Sequence, residues 1–288
     1  MGRRHELRGA RMLITGASQG IGRALALAAL DRGVRVLGAA RSKEELEKLH
    51  QEGIAKGGEL QTVVADVTLP EDRQRMLDAT LQYFGGLDIL VNNAGIGATG
   101  HFAEAGPERL RKIMEVNFFG LTETTRLCLP ALKQSHDPVI VNISSTAGKR
   151  GIPARSDYSA SKFAVQGFSE ALRTEIAKDG IDLLVVCPGL TRTNFSQNML
   201  EQKAKLQLDH MRGMTSEQVA EAVLEAIAHG RREVCLGWQG RLIIFVNRFF
   251  PRLADRIAAR RVRALFRDEI AARRQTRAQS VAGPTISS

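Results

Sequence analysis

Tyr158 and Lys162 stand four residues apart in YSASK, inside a stretch, DYSASKFAVQGFSEALRTEIAKDG, whose composition reads as a helix. That spacing puts both side chains on one helix face. An ammonium beside a phenol stabilises the phenolate and draws the phenol's pKa toward working pH, as a group that gives and takes a proton requires. The spacing alone is common. It gains weight because the chain has only two tyrosines, and because Ser144 and Ser145 end an apolar run, VIVNISS, thirteen to fourteen residues upstream. No second chemistry competes: the six histidines form no HExxH or other metal spacing, and there is no serine-centred GxSxG.

A second constellation lies near the N-terminus. In MLITGASQGIGRALALAAL, the glycines Gly16, Gly20 and Gly22 separate an apolar strand from an Ala/Leu-rich helix. Glycine there permits a tight turn, close approach of the backbone to a pyrophosphate, and close helix packing. The helix N-terminus offers free N–H groups and the positive end of its dipole. The following strand, VRVLGAARSKEEL, ends where an acidic residue would hold an adenosine ribose 2′-hydroxyl, and Ala40 and Arg41 stand there instead. A guanidinium cannot accept that proton but can fork onto a 2′-phosphate, with Ser42 as a further donor. The expected cofactor is therefore NADP(H) rather than NAD(H).

These residues must be positioned by a scaffold, and its pattern is regular. Short runs of Val, Ile and Leu at 11–15, 34–40, 61–65, 88–92, 138–143, 182–187 and 233–236 alternate with longer amphipathic segments. This is the pattern of a parallel sheet covered by helices on both faces, a doubly wound α/β domain. Pro70, Pro107 and Pro251 are placed to open helices, and Thr215 with Gln218 forms a capping box ahead of VAEAVLEAIAHG. The expected organisation is one Rossmann-like domain over 1–236, with a mobile lid at about 190–215. A basic helical extension over 237–277 and a disordered tail over 278–288 follow.

TGASQGIG, NNAG at 92–95, Asn117, ISS followed by YSASK, and PG at 188–189 together resemble the motif set of the short-chain dehydrogenase/reductase family, in family order and spacing, across residues 11 to about 236. The resemblance implies an oxidoreductase that interconverts a carbonyl and an alcohol by hydride transfer. It implies that Ser145 holds the substrate carbonyl oxygen, that Tyr158 donates the proton, and that Lys162 binds the nicotinamide ribose and depresses the tyrosine pKa. Asn117 would sit in a helix and support a water linking Lys162 to solvent. The donors suit a developing alkoxide, while the cofactor carries the redox step. Implied cofactor contacts are Gly16, Ser18, Gln19, Gly20, Ile21 and Gly22 in the glycine loop, and Asp66 and Val67 near the adenine. Asn93, Ala94 and Gly95 would run along the adenosine ribose, and Pro188, Gly189, Thr191 and Thr193 beside the nicotinamide. Asp66 serves equally well as a cap ahead of the next helix. Members are often homodimers or homotetramers. A regulator or scaffold that binds NADP(H) with little turnover is the alternative, disfavoured by the intact Ser145, Tyr158 and Lys162.

The net charge of +10 is concentrated: residues 231–288 hold thirteen arginines against four acids, so the rest of the chain is almost neutral. WQGRLIIFVNRFFPRLADRIAARRVRALFRDEIAARRQTRA carries the one tryptophan, Trp238, and an apolar run before Pro251. Beyond Pro251, Ala254, Ile257, Ala258, Val262 and Leu265 share a helix face flanked by Arg256, Arg260, Arg263 and Arg267. An anionic membrane surface bound through 238–277 is the expected partner; dimerisation or covering of the active-site mouth are the other readings, and nucleic acid is not expected. The lid residues Phe195, Met199, Leu200, Leu206, Leu208, Met211 and Met214 suit either an apolar substrate or packing on the body. No apolar run reaches the ~18 residues of a spanning helix, and no secretory signal opens the chain, so a cytoplasmic protein, peripheral to a membrane, is expected. Cys128, Cys187 and Cys235 form no CxxC pair and read as three small buried hydrophobes, with neither disulfide nor metal.

Overall fold

The computed structural model describes residues 4–193, 195, 199–204 and 213–271. Seven parallel strands form one sheet: β1 (Arg11–Thr15), β2 (Arg35–Ala40), β3 (Leu60–Val64), β4 (Ile89–Asn92), β5 (Val139–Ile143), β6 (Asp182–Cys187) and β9 (Glu233–Cys235). Two further strands, β7 (Thr191–Arg192) and β8 (Met214–Thr215), pair in parallel outside it. The sheet order is β3-β2-β1-β4-β5-β6-β9. Strand order therefore reverses between β1 and β4, and a crevice opens beyond their carboxyl ends.

The alternation of side chains along each strand explains two cores. Met12 and Ile14 of β1 join Val36, Val91, Val141 and Val186 on one face, under α1 (Gly20–Asp31), α2 (Lys43–Ala55) and α7 (Ser216–Ala228). Leu13 points the other way, with Leu37, Leu90, Ile140 and Val185, under α3 (Pro70–Phe84), α5 (Gly120–Leu132) and α6 (Ser156–Glu175). Burial on both faces is why these strands read as continuous apolar runs.

Pro70 and Pro107 open α3 and α4 (Pro107–Met114) at positions where the missing N–H costs nothing. Thr215 accepts from the Gln218 amide while Gln218 returns the bond to the Thr215 N–H, closing the capping box of α7. Between α4 and α5 the helix widens into a π-turn over Glu115–Phe119. The C-terminal region folds as two helices joined at Phe250, α8 (Trp238–Phe249) and α9 (Pro251–Leu265). Residues 278–288, expected to be disordered, lie outside the described residues. Among the described residues no helix is long and apolar enough to cross a membrane.

Candidate active site

A cavity of about 610 Å³ follows the carboxyl ends of β1, β2, β4, β5 and β6, running from Arg41 and Asp66 at one end to Tyr158, Phe195 and Ile243 at the other. Its middle is the glycine loop. Gly16 and Gly20 adopt left-handed φ of 69° and 57°, and a Cβ on Gly16 would fall 2.8 Å from the Ala94 Cα. Helix α1 begins after Gln19 with no side-chain cap and no acid in its first turn, so its free N–H groups meet the cavity at Gly20 and Ile21. That is an anion seat of the kind a pyrophosphate occupies. Gly22 departs from the expectation. It does not line the cavity; a Cβ there would lie 2.3 Å from the Gly16 carbonyl oxygen, so its role is to let α1 close against the loop.

The 93–95 loop is tied to β1. The Asn93 amide nitrogen Nδ2 donates to the Thr15 and Gly16 carbonyls at 3.0 Å each, and the Thr15 hydroxyl accepts from the backbone N–H of Asn93 and Ala94. Asn117, fully buried in the π-turn, clamps the next step. Its Oδ1 accepts from the Ile96 N–H at 2.8 Å, and its Nδ2 donates to the Ile96 carbonyl and to Ser161 Oγ at 2.9 and 3.0 Å. A π-turn at such a position re-aims one side chain out of helical register. Beneath it Asn92 donates to Asn142 Oδ1, and Asn142 to Ser169, a buried amide ladder that joins β4, β5 and α6 and that residue spacing does not announce.

The two serines diverge. Ser144 donates to the Lys162 carbonyl at 3.3 Å and accepts from Gln166, which ties it to α6. Ser145 caps a short turn through the Ala147 N–H at 3.1 Å, and its hydroxyl is hydrogen-bonded to the Tyr158 phenol. Burial pushes that phenol up from its ordinary pKa, while the Ser145 bond and the nearby Arg155 charge pull it down. Burial prevails, so the phenol is protonated at neutral pH.

Lys162 behaves differently from the expectation. Its ammonium lies 5.8 Å from the Tyr158 ring centre and donates to the Ile143 carbonyl at 2.9 Å. The groups that lower the phenol's pKa are Ser145 and Arg155 rather than Lys162. Desolvation brings the lysine itself down to about 8.

At the far end Arg41 is largely exposed, and its guanidinium is 3.7 Å from Asp66. Asp66 also accepts from the N–H and hydroxyl of Thr68. The residue that caps α3 is Leu69, so Asp66 closes the preceding turn while lining the cavity beside Val67. Ser42 takes the cap position of α2. Thr191 donates to the Gly189 carbonyl, and Pro188, Gly189, Thr191 and Thr193 complete the wall beyond β6.

The profile of the short chain dehydrogenase family matches residues 10–204. The chain belongs to that family. It is similar to dehydrogenase/reductase SDR family member 7B of Mus musculus, 34% identical over 266 residues, 89% of this chain and 82% of that one. It is also similar to an uncharacterized oxidoreductase, YxnA, of Bacillus subtilis (strain 168), 34% identical over 251 residues, 85% of this chain and 70% of the relative. A crystal structure of a short chain dehydrogenase/reductase from Burkholderia phymatum in complex with NAD superimposes with a TM-score of 0.79 at 26% identity, covering 86% of this chain and 96% of that one. This short chain dehydrogenase is thus an oxidoreductase with a nicotinamide dinucleotide as cofactor, and the left-handed glycines and uncapped α1 fit that group.

Helix α8 enters the cavity wall through Gln239, Gly240 and Ile243, so the site extends past residue 236, in line with the reading in which the extension covers the active-site mouth. Gly240 permits the approach, since a Cβ would stand 2.6 Å from Thr146 Cγ2. Two other features of the dehydrogenase escape the sequence reading. Arg155 also lines the cavity, and one more arginine in a basic chain gives no signal in one dimension. Cys187 and Cys235 are register partners on β6 and β9, and with Glu233 their side-chain ligand atoms lie within 4.8 Å of one another. They are not isolated hydrophobes, and Cys235 is only half-buried; Cys128 is buried alone. Of the lid residues, Phe195 and Met199 line the cavity and Met214 packs on the core. Leu200 is held on the Gly97 carbonyl; Leu206, Leu208 and Met211 lie outside the described residues.

Proposed function

We propose that this enzyme is an NADP(H)-dependent reductase of an apolar or lipid-like carbonyl, working at an anionic membrane surface. The observation that carries the cofactor reading is the pairing of two ends of one cavity: Tyr158 and Ser145 meet at one, and Arg41 with Ser42 stands at the other with no acid at the end of β2. When bound, the dinucleotide supplies the hydride. The chain supplies the rest: α1 holds the pyrophosphate, Lys162 binds the ribose, Ser145 fixes the carbonyl oxygen and Tyr158 gives it a proton. Arg41 is free to leave its long contact with Asp66 for a 2′-phosphate, where a fork of two charge-assisted bonds forms.

Arg41→Asp is expected to move the ratio of kcat/KM for NADPH over NADH by about 100-fold toward NADH, from loss of the fork and repulsion of the phosphate. Steady-state kinetics with both cofactors measure it, and an unmoved ratio refutes the assignment.

The apolar substrate reading rests on Ile96, Ile152, Phe195, Met199 and Ile243, which line the same cavity as Tyr158, with the Phe195 ring against the phenol ring. The membrane reading rests on α8 and α9. Trp238, Leu242, Phe245 and Phe249 fall on one face of α8, and Trp238 is 71% exposed and Phe249 60%. On α9 the expected apolar face is divided: Ala254, Ala258 and Val262 are half-buried, while Leu253, Ile257 and Leu265 are exposed among Arg252, Arg256, Arg260 and Arg263. An exposed aromatic and aliphatic face bordered by arginines matches the interface of anionic lipid, and it adjoins the cavity mouth at Ile243. Replacing Phe245, Phe249, Leu253 and Ile257 with serine in the full chain is expected to cut co-sedimentation with anionic vesicles at least about 10-fold, since each buried aliphatic or aromatic side chain contributes more than about 1 kcal/mol. Equal pelleting contradicts the membrane reading.

A further inference from the structure

Arg109 and Arg150, near the catalytic helix, are ion-paired, and Arg173 on the helix itself donates to the Leu183 and Arg232 carbonyls. Arg109, buried, meets Asp157 at 2.5 Å and Glu201 at 3.2 Å. Arg150 reaches Asp255 at 2.6 Å and Asn247 at 2.8 Å. Arg155 has no carboxylate within ion-pair distance among the described residues, although it is half-buried in the cavity wall, three positions before Tyr158. It shares that wall with Ile96, Ile152, Phe195 and Met199, whose side chains cannot accept from a guanidinium. Desolvation lowers its pKa.

An unpaired guanidinium in an apolar wall costs stability, and an incoming oxyanion removes that cost. The dinucleotide does not call for it in the proposed binding mode. Its pyrophosphate is served by α1 and its 2′-phosphate by Arg41, both away from the Tyr158 end of the cavity.

We propose that Arg155 is the seat for an anionic group on the substrate. The substrate is then an amphiphile: an apolar chain bearing a carbonyl, with a carboxylate or phosphate close enough to reach Arg155 while the carbonyl oxygen meets Ser145 and Tyr158. This deepens the reading of the cavity as a carbonyl-reducing site and rests on it. Apolar walls alone would admit neutral ketones equally; the guanidinium selects among them.

The test uses three probes with the full-length protein and NADPH: a medium-chain oxo acid, its methyl ester, and the phosphate monoester of the matching hydroxyketone. Wild type is expected to favour an anionic probe over the methyl ester by about 10- to 100-fold in kcat/KM, the worth of hydrogen bonds to a charged group. The larger preference identifies carboxylate or phosphate as the natural group. In Arg155→Gln the anion-to-ester ratio is expected to fall close to one, and Arg155→Lys to retain part of it. Because Arg155 also acts on the Tyr158 proton, the ratio is the readout; a change in phenol pKa moves all three probes alike. A wild-type ratio near one, or an equal loss on every probe in Arg155→Gln, overturns the proposal. Calorimetric binding of the oxo acid to the NADP-loaded protein separates the two layers. Arg155-dependent binding without turnover upholds the anion seat and removes the reductase reading, whereas binding indifferent to Arg155 removes the seat.

Discussion

Replacing Tyr158 with phenylalanine is expected to lower kcat for carbonyl reduction by about 10³-fold while dinucleotide affinity changes less than about threefold. The ring is retained, so its contact with Phe195 at 5.8 Å and its place on α6 survive. What disappears is the phenol hydroxyl beside Ser145. The direction of the wild-type pH profile follows from the same surroundings. Burial raises the phenol's pKa, so the protonated form that reduction needs persists through neutral pH, and reduction declines only as the pH climbs through the raised value. Alcohol oxidation, which needs the phenolate, rises over the same window. In Tyr158→Phe both limbs vanish. Stopped-flow reduction and cofactor fluorescence titration measure the two quantities separately.

Replacing Lys162 with methionine is expected to abolish turnover and yet stabilise the cofactor-free protein by about 2 kcal/mol at pH 7. Lowering the ammonium from 10.5 to about 8 costs the fold about 3 kcal/mol while the group is charged. Methionine removes that cost, and against it stands about 1 kcal/mol for the Ile143 carbonyl that loses its donor. The sign with pH is definite. Below about 8 both folded and unfolded chains carry the proton and the full cost is present. Between about 8 and 10.5 the unfolded chain binds more protons, so wild-type stability rises with pH and the advantage of the variant shrinks. Urea unfolding at several pH values checks it, and a variant less stable than wild type at pH 7 contradicts it. A stabilising substitution that removes activity marks Lys162 as held for chemistry.

The sheet was readable because strands buried on both faces carry unbroken Val, Ile and Leu runs, and the seven predicted runs fall within a residue of the seven strands. Pro70, Pro107 and the Thr215–Gln218 box signalled helix starts for local reasons, which is why they were visible. Strands β7 and β8, two residues each, exist only because the two ends of the lid meet, and no periodicity records that. The same holds for the site. Residues fixed by local motif, such as Gly16, Gly20, Ser145 and Tyr158, could be named in advance and do line one cavity. Roles that depend on what packs against a residue could not be read, even where the residue was named. Gly22 turns behind the loop, Lys162 bonds to a strand carbonyl, Gly240 brings α8 onto Thr146, and Arg155 lines the cavity with no carboxylate partner among the described residues.

A single turnover with NADPH deuterated at the transferable position of its nicotinamide, over ketones and aldehydes of graded chain length, tests the hydride-transfer account most directly. The predicted result is an alcohol carrying deuterium on its carbinol carbon, formed by wild type and lost with Tyr158→Phe. Saturable NADPH binding with no deuterated alcohol from any carbonyl, or transfer equally fast without the phenol, would contradict it.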